Sequence, residues 1–232
     1  MPKKNGHVNI QMTNGFQPWL AAARENKVEK ASDRSLKPAL LGIWIDPKGY
    51  LVASDGFVLA VVPCKITGAP RSFPGALVPA DFVKAAAAKK RHNWPAWWPL
   101  LKLDLAANTA IREVPNGERA VVDLITGTFP NWRQLIPARK QLGKQRNTVY
   151  DPGLLVKVTG AIAGNNPTVF FSKDTGPAVV VGQEEKAFGL IMPVLNNPTR
   201  ESKLRFALKL RQAMPKPKPV EEAAEVTRTA SK

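Results

Sequence analysis

The residues of this chain that could carry out acid–base or metal chemistry are few and widely spaced. The two histidines, His7 and His92, do not combine with other residues into a Ser-His-Asp, Cys-His or histidine-cluster arrangement. A metal-dependent nuclease would need several carboxylates to converge at strand ends, and nothing in the spacing indicates this. Six aspartates fall mostly at predicted turns or helix caps, where carboxylates commonly bond to the backbone: Asp46, Asp55, Asp104, Asp123, Asp151 and Asp174. The sequence therefore predicts a protein that is not an enzyme and that uses no metal or cofactor.

The net charge indicates the kind of partner to expect. The 232 residues include 34 Lys and Arg against 18 Asp and Glu, which gives a formal net charge of +16. This excess favours polyanionic partners, nucleic acid first and an anionic membrane surface second. The single cysteine, Cys64, excludes an intrachain disulfide and a zinc site built on cysteines. Neither a secretory signal nor an apolar run of the ~20 residues that span a membrane is recognisable, so we expect a cytoplasmic protein without a membrane partner.

The order of the predicted elements repeats along the chain. Ser-Asp-Gly at positions 54–56 lies between two runs of strand formers and predicts a hairpin. Helices are expected at 16–29, from Pro79 and Asp81 to the KKRHN segment at 89–93, and from Pro152 with Asp151 as its N-cap. Three β-α-β-β-β units therefore predict an α+β fold, in which the helices lie on one face of antiparallel sheets. The expected strands are 7–12, 40–46, 50–54, 57–65, 75–78, 101–105, 109–114, 119–125, 168–172, 177–181 and 187–194.

The composition changes near position 195. Residues 196–219 contain seven Lys or Arg and one Glu. Leu204, Ala207 and Leu208 recur at helical spacing, which predicts a basic amphipathic helix at 199–214, and the last residues are expected to be disordered. The sequence thus predicts three parts: a domain at 1–137, a partial second domain at 138–195, and a basic helix with a disordered tail at 196–232.

Four segments, in the right order and spacing, resemble the bacterial DNA polymerase III beta sliding clamp. They are ASDGFVLAVV (53–62), ALVPADFVKAAA (76–87), VVDLITGTFPNWRQLIP (121–137) and GLIMPV (189–194). The first part of the chain resembles the complete middle domain of the clamp, and residues 147–194 resemble the second half of its last domain. The resemblance implies a DNA clamp-like fold, and the parts through which the family closes its ring have no counterpart in the chain.

The resemblance implies a groove that binds short peptides of polymerases and repair proteins. In the family, the Asp-Gly hairpin and the Met-Pro segment near the C-terminus form the walls of this groove. The family has His-Arg after Asp-Gly where this chain has Phe57-Val58, so the peptide preference is expected to differ. Without the resemblance, Leu59, Ile191 and Met192 are better interpreted as ordinary core residues. The implied groove residues are Ser54, Gly56, Phe57, Val58, Leu59, Pro137, Leu190, Ile191, Met192 and Pro193.

The resemblance also gives the basic residues a function, because the helices of a clamp line the hole and face the DNA phosphates. Loose contacts of this kind give binding that is independent of sequence and sensitive to salt. The implied DNA-binding residues are Arg24, Lys27, Lys84, Lys89, Lys90, Arg91 and Lys157. The alternative is that these side chains form an ordinary solvated face.

The first interpretation is a clamp-like processivity or tethering factor that holds double-stranded DNA and docks a DNA polymerase or another protein with a clamp-binding motif. A homo-oligomer is expected if a ring closes. The alternatives are a clamp-derived adaptor or decoy that does not encircle DNA, and a basic DNA-binding protein on a borrowed fold.

Overall fold

The chain divides into two compact units, residues 1–194 and 195–232. The computed structural model describes residues 7–13, 15–23, 38–87, 100–113, 118–143, 150–162, 166–173, 176–182 and 187–193, all within the first unit. The predicted helix and tail at 196–232 lie outside the described residues. The predicted domain boundary at 137 and the one at 195 stay predictions.

The described residues contain eleven strands, and every pairing between them is antiparallel. The main path of the sheet runs β5-β2-β3-β4-β1-β6-β7-β8, while β9, β10 and β11 join it through the pairing of β11 with β4. The strands are β1 (Val8–Met12), β2 (Gly42–Asp46), β3 (Tyr50–Ser54), β4 (Val58–Thr67), β5 (Ala76–Pro79), β6 (Leu100–Asp104), β7 (Thr109–Glu113), β8 (Arg119–Asp123), β9 (Thr168–Phe170), β10 (Ala178–Val181) and β11 (Phe188–Ile191).

The long strand β4 joins the two parts of the sheet. Along one edge, its first residues pair with β11, with Leu59 opposite Leu190, and its last residues pair with β1, with Cys64 opposite Met12. Its other edge pairs with β3. Residues from both predicted domains therefore belong to one sheet.

Within the described residues, two α-helices pack against the sheet, at two of the three places where the repeat pattern predicts a helix. They are α1 (Ala80–Ala86) and α2 (Pro152–Ala161). Helix α1 ends at Ala86, earlier than the predicted end at 89–93. Asp151 caps α2 through its side chain, which accepts a hydrogen bond from the Gly153 amide at 2.7 Å, and Pro152 is the first helical residue. Both helices bury apolar residues in the same core, Val83 from α1 and Val158 from α2.

The helix predicted at 16–29 is wrong over the part that the structure describes. Residues Pro18–Ala21 form a single 3₁₀ turn, and the backbone is extended at Ala22. The amides on both sides of the turn bond to distant carbonyls, from Gln17 to Ala161 and from Ala23 to Leu40, both at 2.9 Å. These tertiary bonds replace the local bonds that a continued helix would need. Residues 24–29 lie outside the described part.

The sheet separates two apolar cores, and the alternation of side chains along β4 supplies both of them. Val58, Ala60 and Val62 face the core that contains the two helices. Leu59 and Val61 face the opposite core, where the segment at 124–143 covers the sheet. Phe129 and Trp132 of that segment are both buried in this second core.

Candidate functional site

The hairpin between β3 and β4 has a tip that is fixed by its own side chains. The Asp55 carboxylate accepts hydrogen bonds from the amides of Phe57 and Val58, both at 2.9 Å. The Ser54 hydroxyl donates to the Val58 carbonyl at 2.7 Å and accepts from the Gly56 amide at 3.1 Å. Gly56 has a φ of +90°, a conformation that glycine adopts without strain. The Phe57 side chain is 64% exposed at this tip.

Lys157 on α2, which the resemblance implies to be a DNA-binding residue, is paired with this hairpin. The Lys157 amine contacts the other carboxylate oxygen of Asp55. The contact links α2 to the tip, and it leaves Lys157 half-buried with its charge directed at a protein carboxylate. Lys84 on α1 is exposed. The other implied DNA-binding residues lie outside the described residues: Arg24, Lys27, Lys89, Lys90 and Arg91.

The hairpin and the Met-Pro segment meet, as the resemblance implies. The Met192 amide donates to the Phe57 carbonyl at 2.8 Å, which continues the pairing of β11 with β4. Four of the implied groove residues are nearly fully buried by this pairing and lie in the two cores beneath the surface: Val58, Leu59, Leu190 and Ile191. Met192 is 39% exposed and Pro193 is half-buried. The accessible part of this surface therefore consists of Gly56 and Phe57 at the hairpin tip and of Met192 with Pro193.

A pocket of about 280 Å³ opens beside Met192. Its lining combines apolar side chains with amide and hydroxyl groups, the composition expected of a small peptide or ligand site. Two of the implied groove residues, Pro137 and Met192, line it. Sequence reasoning missed the others, although Leu135 and Ile136 form an apolar pair directly before Pro137 and are both exposed. The remaining lining residues are Gln134, Gln141, Ser172, Gly176 and Pro177.

The segment that forms one wall of this pocket is anchored to the end of β2. The carboxylate of Asp46 accepts two hydrogen bonds from the Arg133 guanidinium, at 2.8 and 2.9 Å, and one from the Trp132 indole at 3.2 Å. The Arg133 guanidinium also lies over the Trp132 ring, 4.2 Å from its centroid. Asp46 is 2% exposed, so the ion pair is shielded from water on the carboxylate side.

The environment of Asp46 keeps it ionised. Burial by itself raises the pKa of this carboxyl, but hydrogen bonds from Arg133, the Lys48 amide and Trp132 stabilise the charged form. The net effect is a pKa below the usual value. Arg133 has its pKa raised by the same hydrogen bond. The pair is therefore fully charged at neutral pH.

The described residues carry little that could do covalent chemistry. Burial raises the pKa of the Cys64 thiol to about 12, so it is not a thiolate at neutral pH. Within the described ranges, no three His, Cys, Asp or Glu side chains come together as metal ligands would. None of the helices described is long and apolar enough to cross a membrane.

Comparison with solved structures identifies the fold. A sliding clamp (DNA polymerase III subunit beta) from Bartonella birtlesii, bound to griselimycin, is 14% identical with a TM-score of 0.53, over 84% of this chain and 68% of that one. A sliding clamp from Pseudomonas aeruginosa with ligand is 13% identical with a TM-score of 0.59, over 83% and 66%. The DNA polymerase III beta subunit of Thermotoga maritima is 14% identical with a TM-score of 0.56, over 85% and 68%. At these identities the similarity establishes the fold.

The other comparisons set limits on what the fold implies. No family model matches the chain, and no curated protein matches it. The chain spans 61 to 68% of the length of the first sliding clamps that it matches. The predicted fold class, an α+β clamp-like fold with antiparallel sheets, is confirmed.

Proposed function

Because its fold is that of the bacterial DNA polymerase III beta sliding clamps, we propose that this chain is a non-enzymatic, cytoplasmic clamp-like tethering or processivity factor. It holds double-stranded DNA without regard to sequence. It docks a DNA polymerase or another protein that carries a clamp-binding motif through the groove between the β3–β4 hairpin and the 134–137 segment.

One observation carries this proposal: Met192 and Pro137 line the same pocket. They are 55 positions apart in the sequence, and the resemblance assigns both to the peptide groove of the family. The pocket offers apolar contacts through Leu135 and Met192 and amide groups through Gln134 and Gln141. A peptide with one glutamine and a Leu-Phe pair matches this combination, because its apolar side chains need burial and its amide needs a polar partner.

We expect such a peptide to bind with a dissociation constant of roughly 1 μM, about −8 kcal/mol. The measurement is fluorescence anisotropy of a fluorescein-labelled peptide that contains one glutamine and a Leu-Phe pair. The control is the same peptide with both Leu and Phe replaced by serine, which removes the apolar anchors. Equal binding of the two peptides, or no binding of either, contradicts the docking part of the proposal.

The DNA part of the proposal is supported by the net charge of +16 and by the exposed Lys84 on α1. If the protein neutralises about five phosphates, the logarithm of its affinity for duplex DNA should fall with a slope of about −4 to −5 against log salt concentration. Binding should also ignore the DNA sequence, because phosphate contacts carry no sequence information. The measurement is a titration of two unrelated duplexes at several salt concentrations.

A matched pair of variants refines this test. Lys84→Gln should make the salt slope shallower by about one, because an exposed lysine is available to a phosphate. Lys157→Gln removes the same charge from an amine that contacts Asp55, so it should leave the slope nearly unchanged. Equal affinity at low and high salt contradicts the electrostatic basis of the proposal. A strong preference for one of the duplexes favours a sequence-specific regulator.

The second candidate function is a clamp-derived adaptor or decoy that competes for clamp partners without encircling DNA. The pairing of Lys157 with Asp55 favours it, because it directs one implied DNA-binding charge toward the protein. The molar mass in solution, measured by light scattering with and without DNA, separates a closed ring from a monomeric adaptor.

A further inference from the structure

Residues 134–137 form one wall of the pocket, called the wall below, and make few polar contacts with the sheet. The backbone bonds that tie this region to the rest of the fold lie at its two ends, where the Ile125 amide donates to the Leu77 carbonyl at 2.9 Å and the Lys173 amide donates to the Gln141 carbonyl at 2.8 Å. Between these ends, the backbone bonds of the described residues are local, such as that from the Ile136 amide to the Arg133 carbonyl at 3.4 Å. Side chains must therefore hold the wall against the sheet.

Apolar side chains supply one part of this attachment. Trp132 packs edge-on against Tyr50 and beside Phe188, with ring centroids 6.2 Å apart in both cases. Phe129 stacks on Trp44 at 6.3 Å. Apolar contacts of this kind are strong but have no directional requirement, so they tolerate a shift of the segment along the sheet. These contacts keep the wall packed against the sheet without fixing its position along the sheet.

The Asp46–Arg133 pair supplies the directional contact that fixes the position of the wall. Its two parallel hydrogen bonds, at 2.8 and 2.9 Å, require one orientation of the guanidinium relative to the carboxylate. The carboxylate belongs to the buried end of β2 and therefore has a fixed position. Arg133 directly precedes Gln134, the first residue of the pocket wall. Within the described residues, the hydrogen bonds that tie positions 126–137 to the sheet all end on Asp46.

We propose that Asp46 is a positioning residue for the groove: through Arg133 and Trp132 it fixes the 134–137 wall at the distance from Met192 that the docked peptide requires. Asp46 does not contact the peptide. This inference rests on the proposed function, because the peptide is the ligand whose affinity it sets. It also assigns a function to a buried aspartate that the sequence identifies only as a turn residue.

The test compares peptide affinity among folded variants. Asp46→Asn keeps the shape of the side chain and removes the charge, so the bidentate pair is lost. We expect peptide binding to weaken about tenfold, with an unchanged stoichiometry of bound peptide per folded protein. Lost stability alone lowers the stoichiometry and leaves the dissociation constant of the folded molecules unchanged. Anisotropy titrations at a temperature at which circular dichroism shows each variant to be folded give both quantities.

Three further variants keep the test decisive. Glu113→Gln removes an ion pair with Lys102 on the neighbouring strands β6 and β7, and should leave affinity unchanged. Arg133→Lys keeps the charge but loses the bidentate geometry, and should weaken peptide binding a few-fold. This variant tests the inference even if Asp46→Asn does not fold. The double variant Asp46→Asn/Arg133→Gln should bind no more weakly than Asp46→Asn, because both changes remove the same link.

Unchanged peptide affinity in Asp46→Asn and Arg133→Lys overturns the inference, provided that the wild-type protein binds. If the wild-type protein does not bind the peptide, the proposed function fails instead, and amide hydrogen exchange then decides the positioning role. The amides of Gln134, Leu135 and Ile136 should exchange faster in Asp46→Asn than in Glu113→Gln. Equal exchange rates in these two variants overturn the inference without reference to any peptide.

Discussion

Replacing Met192 with glutamate should weaken binding of the Leu-Phe peptide at least about 100-fold, a loss of about 2.7 kcal/mol. Met192 is 39% exposed and lines the pocket, so a docked apolar anchor would have to bury the new carboxylate without a partner. The fold should survive, because the link between Met192 and the hairpin is made by its backbone amide and the Phe57 carbonyl. Anisotropy measures the affinity and thermal unfolding measures the stability.

Two controls accompany this variant. Met192→Leu conserves volume and polarity, and should keep the affinity within a few-fold of the wild-type value. Val121→Glu adds the same charge at another exposed apolar position, on β8, and should leave peptide binding unchanged. Undiminished affinity in Met192→Glu would place the docking site elsewhere. An equal loss in Val121→Glu would show that net charge, and not the pocket, controls binding.

Replacing Gly189 with alanine should lower the free energy of unfolding by about 3 kcal/mol, the upper end of the range for overpacked cores. An added Cβ would lie 2.0 Å from the Cγ2 atom of Val158 and 2.9 Å from the carbonyl oxygen of Leu59. Helix α2 therefore approaches β11 so closely that no side chain fits between them. Urea unfolding, followed by circular dichroism, measures the change.

The matched control for this variant is Gly56→Ala. Its added Cβ meets nothing within 4 Å, so it tests only the backbone cost at a φ of +90°, about 1 kcal/mol. The double variant Gly189→Ala/Val158→Ala removes the clashing methyl group and should recover part of the lost stability. Equal stability of Gly189→Ala and Gly56→Ala would contradict the close approach of α2 and β11.

The positions of the strands can be predicted from the sequence, but their partners cannot. The pattern at 50–54 predicts β3 with its observed bounds, because strand formers there are followed directly by a turn signal. The pairing of Leu59 with Leu190 joins residues that are far apart in the chain, and no local pattern encodes it. The helix predicted at 16–29 is wrong over its described part, residues 16–23, for a related reason. The Gln17 amide bonds to the Ala161 carbonyl, a contact that no local propensity describes.

The candidate site could be predicted from the sequence only in part. Gly56 and Met192 can be identified by their resemblance to the segments of a known family, and both lie near the point where the hairpin meets β11. The sequence does not distinguish the accessible residues from those that the strand pairing buries, such as Leu59 and Ile191. The contact between Asp46 and Arg133 could not be predicted, because the two residues are 87 positions apart in the sequence.

The strand order has a consequence for the chain while it is being synthesised. The edge of β4 that carries Val58 and Val61 pairs with β11, and the partner of Val61 is Phe188, 127 positions later. At a translation rate of about 5–20 residues per second, that edge waits roughly 6–25 s for its partner. During this interval this part of the edge of β4 has no partner strand, and an unpaired edge can pair with a neighbouring nascent copy on the same messenger RNA.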